Sequence, residues 1–203
     1  RWATHGAPTV DNAHPQRDDR GTVAVVHNGI IENHEALRRE LERDGAVFAS
    51  DTDTEVIPQL LARVPGAASD PVAAMRQVTG RLAGSYAFAA VFAAHPDRIL
   101  VARAGSPLLI GRGRDATLIA SDLPALLPHA ERYAVVEDGW IADCRRDAVH
   151  VTAGDGTAVT PRYKPVELAV EAVSRGDHDS FMSKEIAEQP TILARLLADR
   201  LRG

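Results

Sequence analysis

Three short clusters carry the side chains best suited to chemistry: Arg1-Trp2-Ala3-Thr4-His5-Gly6, His27-Asn28-Gly29 and Ser50-Asp51-Thr52-Asp53-Thr54-Glu55. The middle cluster follows an apolar run, Val23 to Val26, whose β-branched content suits a buried strand. An asparagine amide beside a glycine N–H offers two neutral donors at a strand end, which suits an oxyanion hole. Gly29 also supplies backbone that can turn at positive φ or let a ligand approach closely. The same pair also reads as a plain Asn-Gly turn, and the two residues alone leave both readings open. Residues 1–20 lack helical or strand periodicity and are rich in turn formers, as a surface loop is. Yet they hold Arg1, Trp2, His5 and His14, expensive residues for an idle loop.

The elements that must position these groups follow from the pattern. Strand 22–27 leads to Asn33, a natural N-cap for a helix over 33–44. Glu35 sits in the positive first turn and pairs with Arg39 at i,i+4. Leu37 and Leu41 mark the buried stripe, and Gly45 stops the helix. Val47-Phe48 reads as a short strand. The run 50–55 caps a second helix with Val56, Ile57, Leu60, Leu61 and Val64 on its apolar face, and Pro71 opens a third over 71–82. Strands follow at 85–93, 99–102, 108–111, 117–120, 133–136, 140–144 and 148–152. His95-Pro96-Asp97 and Gly105-Ser106-Pro107 punctuate them, Gly154-Asp155-Gly156 reads as a tight hairpin turn, and a short helix over 123–127 interrupts. Helices beside early strands, then a strand-rich half, make the fold class α+β. The tail reads as helices 180–188 and 191–202 separated by Gln189-Pro190. Its stripe of Leu193, Leu196, Leu197 and Leu201 reads as the start of a linker or a following domain.

Composition excludes several classes. The 203 residues fit one domain, or one with an appendage, and are enough for a real core. A net charge of −5 leaves no basic excess to neutralise phosphates, so neither nucleic acid nor a membrane surface is an expected partner. No apolar run approaches the roughly 18 residues of a membrane span, and no signal peptide is visible. The single Cys144 rules out an internal disulfide framework and fits a reducing, cytoplasmic setting. It reads as a structural or incidental thiol. No Cys/His cluster has zinc-ligand spacing, and Gly111-Arg112-Gly113 lacks the Lys-Ser/Thr of a phosphate loop, so no cofactor or metal is expected. The sequence begins at Arg1, without an initiator Met and inside a chemical cluster, which reads as a fragment whose N-terminal part is missing.

With Asn12-Ala13-His14-Pro15 added, the three clusters resemble class II, N-terminal-nucleophile, glutamine amidotransferases. Within that group RWATHG, VVHNGIIENH, SDTDTEV and the tail FMSKEIAEQP are similar to the glutamine–fructose-6-phosphate aminotransferases. The resemblance runs from residue 1 to about 190. Two positions depart from it: Ser180 stands where His is common, and Ala187 where an aromatic is common. Both concern the junction between domains.

The resemblance implies a four-layer αββα sandwich, truncated at its N-terminus, as residues 1–179, with 180–203 as a helical linker into an absent sugar-isomerase domain. It implies L-glutamine as ligand, with Arg1 gripping the α-carboxylate bidentately, a geometry lysine cannot reproduce. Thr4 and His5 match positions that add hydrogen bonds to that carboxylate. Asp53 matches the acceptor of the α-ammonium, where its plain reading is a helix-capping aspartate. Trp2 would cover the site and exclude water; alternatively it is a core aromatic. Asn28 and Gly29 match the oxyanion hole. His14 and His27 read as structural or site-bracing groups, since a satisfied loop histidine is commoner than a catalytic one. The family's nucleophile, a cysteine at the mature N-terminus, has no counterpart at Arg1. The implied reaction of the whole enzyme makes D-glucosamine 6-phosphate and L-glutamate from D-fructose 6-phosphate and L-glutamine. A homodimer would form through the absent domain. Two other readings stay open: a related amidotransferase with a different acceptor, and a nucleophile-less fragment that only binds glutamine or a partner.

Overall fold

A computed structural model describes residues 5–166 and 175–201. They belong to two compact units, Arg1–Val166 and Glu167–Gly203. In the first unit the chain runs β1 (Gln16–Arg17), β2 (Val23–Ile31), α1 (His34–Arg43), α2 (Val56–Arg63), α3 (Pro71–Thr79), β3 (Gly84–Phe92) and β4 (His95–Ala104). It continues through β5 (Leu109–Arg112), β6 (Thr117–Ala120), β7 (Arg132–Val135), β8 (Ile141–Arg145), β9 (Val149–Thr152), β10 (Ala158–Val159) and β11 (Lys164–Pro165). Two antiparallel sheets result, ordered β1-β2-β3-β4-β8-β9-β10 and β11-β7-β5-β6. The class is mixed α+β, as expected.

Strand alternation builds two cores on opposite faces of the large sheet. Val25, Ile31, Phe88, Ala90, Leu100 and Ile141 face the helices and meet Leu37, Leu41, Ile57, Leu61 and Met75. Ala87, Val101, Ala142 and Cys144 face the other way, onto Leu108, Ile110 and Val136 of the small sheet and its flanks. Among the described residues of this unit the layers are therefore helix, sheet, sheet. Beyond the small sheet lies a 3-10 turn, Leu123–Ala125, where a helix over 123–127 was expected. Leu126 next to it is 1 % exposed, and a Cβ on Gly111 of β5 would stand 3.1 Å from Leu126 Cδ2.

Several expectations need correction. β2 continues to Ile31, so Asn28-Gly29 is neither a strand end nor a turn; pairing with β3 persists to Ile31↔Gly84. Asn33 precedes α1 but its side chain does not cap: it accepts from Ala83 N–H (3.0 Å) and donates to Arg81 O (2.9 Å), stitching α1 to the approach to β3. The ion pair on α1 is Arg38–Glu42 at 3.1 Å, whereas Arg39 Nε donates to the Glu35 carbonyl. Residues 47 and 48 form no strand; Val47 lends its N–H to Asp19 and its carbonyl to Gln59. His95-Pro96-Asp97 lies inside β4, and the chain reverses at 93–94, with Phe92 facing His95. Helix 71–82 is shorter, ending at Thr79, while Asp70 caps it through Ala73 N–H. The Gly154–Gly156 turn does join a hairpin, β9 to β10. In the second unit the tail is one helix, α4 (Phe181–Leu201), with Pro190 inside it. Proline removes one intrahelical bond there without ending the helix.

Candidate active site

Asp53 stands on the loop before α2, 4 % exposed, and one carboxylate oxygen accepts the Ile31 N–H at 2.8 Å. That bond brings the acidic loop onto β2, two residues beyond Gly29. β1 pairs with β2 only at Ala24 and Val25, so from Val26 to Ile31 the edge opposite β3 has no strand partner among the described residues. The other Asp53 oxygen lies 3.7 Å from His5 Nδ1. His5 in turn packs its ring edge-on against His34 at 4.8 Å, and His34 Nδ1 donates to the Ile31 carbonyl at 2.8 Å. Ile31 is thus held at its N–H by the buried carboxylate and at its carbonyl by His34. A carboxylate has about four lone-pair sites, and a single N–H leaves room for a cation.

The neighbouring hydroxyl knits the site together. Thr54 Oγ1 lies 3.0 Å from His27 Nδ1 and 3.4 Å from His14 Nε2. His27 points to the helix face of β2, between Val25 and Ile31, and is buried. Burial holds its pKa down at about 4, against the pull of Asp53, with His14 and His5 pushing the same way as burial. The ring is therefore neutral at physiological pH and braces Thr54 as a hydrogen-bonding group. Both histidines thus reach the same Thr54 hydroxyl.

Asn28 is exposed on the opposite face of β2. It borders a hollow of about 170 Å³ with Ala87, Ala89, Leu108 and Ile119 along its walls. Gly29 has φ +130°, and a Cβ there would overlap the Ser85 carbonyl and stand 2.8 Å from Tyr86 Cα and 2.9 Å from Ser106 Oγ. Close packing against β3 by itself requires glycine at this position.

The loop that carries Asp53 is held from several sides, a feature the sequence did not announce. Glu55 is 1 % exposed, and its carboxylate turns back to accept the N–H groups of Ala49 (2.9 Å) and Ser50 (2.7 Å) and the Ser50 hydroxyl (2.6 Å). It precedes α2 without capping it by its side chain. Arg38 of α1 donates to the Ser50 carbonyl at 2.8 Å and stacks on Phe48. Asn12, 3 % exposed, accepts the Asp51 N–H at 2.9 Å. The spacing of Ser, Asp and Thr in 50–55 was a signal for backbone-binding side chains, but not for a glutamate folding back inside the loop.

Arg1, Trp2 and Thr4 lie outside the described residues. Of the expected site residues the structure brings His5 and Asp53 together and sets Asn28 and Gly29 on the strand that Asp53 touches. Cys144 stands apart, in β8 between the two sheets, 3 % exposed, its pKa pushed up to about 12 by burial and the Asp143 charge. Such a thiol is inert at neutral pH. Among the described residues no group of three or more His, Cys, Asp or Glu side chains could hold a metal ion, and no helix is long and apolar enough to cross a membrane.

Comparison with known proteins gives the family. A family model described as a glutamine amidotransferase domain matches residues 8–128. The glutamine–fructose-6-phosphate aminotransferase (isomerizing) of Symbiobacterium thermophilum is 49 % identical over 201 residues, 99 % of this chain and 33 % of that protein. Its Streptomyces coelicolor counterpart is 45 % identical over 203 residues, 100 % of this chain and 33 % of that one. The chain thus spans about a third of the length of these curated relatives. Among solved structures, a glutamine phosphoribosylpyrophosphate amidotransferase from B. subtilis, complexed with ADP and GMP, superposes with a TM-score of 0.63 at 25 % identity. That match covers 73 % of this chain and 33 % of the other. A family match over residues 8–128 takes in the His14, Asn28-Gly29 and Asp53 clusters together, and so the chain belongs to the glutamine amidotransferase domain family.

Proposed function

We propose that this domain binds L-glutamine and hydrolyses its side-chain amide within a longer protein. The observation that carries the reading is the Ile31 N–H to Asp53 bond at 2.8 Å. It seats a buried carboxylate beside the strand bearing Asn28 and Gly29, with His5 on its far side. Asp53 receives the α-ammonium of glutamine. Arg1 grips the α-carboxylate, Thr4 and His5 add hydrogen bonds to it, and Trp2 covers the bound substrate. The Asn28 amide and the Gly29 N–H receive the oxyanion, donors each worth roughly 3–4 kcal/mol in acyl transfer.

The attacking thiolate comes from a cysteine outside these 203 residues, at the mature N-terminus, with its own α-amine as base. Cys144, sealed between the sheets, is not placed to attack a bound amide. Attack on the amide carbonyl gives a tetrahedral oxyanion that collapses to a thioester as ammonia leaves, and water then releases glutamate.

Identities of 45–49 % over nearly the whole chain favour fructose 6-phosphate as the acceptor of the ammonia and glucosamine 6-phosphate as the product. On this reading residues 1–179 are the amidotransferase domain, completed elsewhere to a four-layer αββα sandwich. Residues 180–203 then lead into a sugar-isomerase domain through which the protein dimerises in the cytoplasm. The test is steady-state glutaminase kinetics on the full-length protein. Asp53→Ala raises the glutamine KM at least about tenfold; a KM within about twofold of wild type removes Asp53 from the site.

A further inference from the structure

Asn12 lies in the loop between His5 and β1 and is 3 % exposed. Its buried side-chain amide is used at both ends. Nδ2 donates to the Ala7 carbonyl at 2.9 Å, and Oδ1 accepts the Asp51 N–H at 2.9 Å. Ala7 is two residues after His5, and Asp51 is two residues before Asp53. One planar group therefore ties together the two strands of chain whose ends meet as the His5–Asp53 pair, 3.7 Å apart.

The surroundings are built to hold that group. Asn12 N–H donates to Thr9 Oγ1 at 3.3 Å, and the base of the loop is pinned by Gln16, whose Nε2 donates to the carbonyls of Asp11 (3.0 Å) and Ala13 (2.8 Å). Gly6 makes room for it. At φ +72° it lets the amide come so close that a Cβ would stand 2.6 Å from Asn12 Nδ2 and 3.3 Å from Asp51 Cβ.

From this geometry we propose that Asn12 is a positioning residue of the glutamine site, setting the loop that carries His5 against the loop that carries Asp53. The inference rests on the reading of His5 and Asp53 as glutamine-binding groups. A loop that reaches its binding geometry only part of the time weakens apparent affinity by that fraction, without changing the chemistry of the bound state. Asn12 therefore acts on KM and not on kcat.

The experiment measures glutamate release by the full-length protein with three variants. Asn12→Asp keeps the size and the acceptor for Asp51 N–H but sets a carboxylate oxygen against the Ala7 carbonyl. Gly6→Ala pushes the amide out from its other side. Both are expected to raise the glutamine KM about tenfold, the effect of a loop competent one time in ten, with kcat held within about twofold. The third variant, Asp53→Ala, reports on the underlying reading. If it raises KM while Asn12→Asp and Gly6→Ala leave KM within about twofold, or lower kcat alone, the positioning role is overturned and the glutamine site stands. If Asp53→Ala also leaves KM unchanged, both fall. Should Asn12→Asp fail to fold, Gly6→Ala decides by the same KM and kcat criteria.

Discussion

The two faces of the large sheet bury very different chemistry. On the side of the small sheet the contact is aliphatic: Val101, Leu108, Ile110, Val136 and Ala142, with Cys144 among them. On the helix side, at the β2 end, polar groups go under instead: His27, Asp53, Thr54, Glu55 and Gln59 are all buried. Both regions exclude water, but only the second is held by directed bonds. Glu55 takes three donors, Gln59 bonds Val47 O and Arg63, and Asp53 bonds Ile31 N–H. Buried polar groups persist only where their partners are supplied. A region that concentrates so many of them is fixed in geometry by directed bonds, whereas an oily layer supplies cohesion without direction. The contrast also explains why the one thiol of the chain is silent: it sits in the oily layer.

Three measurements press on this comparison. The largest effect is expected from Gly29→Ala, which forces a Cβ into β3 at a positive φ and costs about 3 kcal/mol or more in urea unfolding. Stability within about 0.5 kcal/mol of wild type would mean that β2 is not locked against β3 as described. Next comes acid sensitivity at the polar end. The folded protein holds the His27 pKa at about 4 against an ordinary 6.5, so the unfolded chain binds the proton first. Its contribution is therefore intact above about pH 6.5 and is lost as pH falls toward 4, by roughly 3 kcal/mol in all. Melting curves across that window should flatten in His27→Asn; equal slopes in both proteins would show that His27 is not the group responsible. The smallest effect belongs to the oily layer. With its pKa near 12, Cys144 exposes only on the order of one thiolate in 10⁵ at neutral pH. Iodoacetamide should leave the native protein unlabelled and react in urea, and Cys144→Ala should cost about 1 kcal/mol. Prompt native labelling would contradict the burial of that strand.

How far the sequence reached depends on the kind of interaction. The strands at 117–120, 133–136 and 148–152, and the buried stripes Leu37/Leu41 and Ile57/Leu61, were legible because periodicity is a local record of which face is covered. Asn33 reads as an N-cap from its position alone, but an N-cap and a tertiary stitch use the same side chain, and the Arg81–Ala83 segment won the competition. Residues 95–97 looked like a turn by composition, yet the sheet extended through them to meet Phe92. Gln189-Pro190 reads as a break by composition, yet Pro190 lies within a helix.

For the site, the sequence alone determined the cast: the histidines, the Asn-Gly pair and the run of acidic and hydroxyl residues at 50–55, whose types limit the chemistry available. Tertiary structure alone decided who meets whom. The Asp53 bond to Ile31 spans 22 residues, the His27 bond to Thr54 spans 27 and the Asn12 bond to Asp51 spans 39. Side-chain hydrogen bonds of that range leave no periodic trace, because they are set by where the sheet brings distant loops and not by any local preference of the chain.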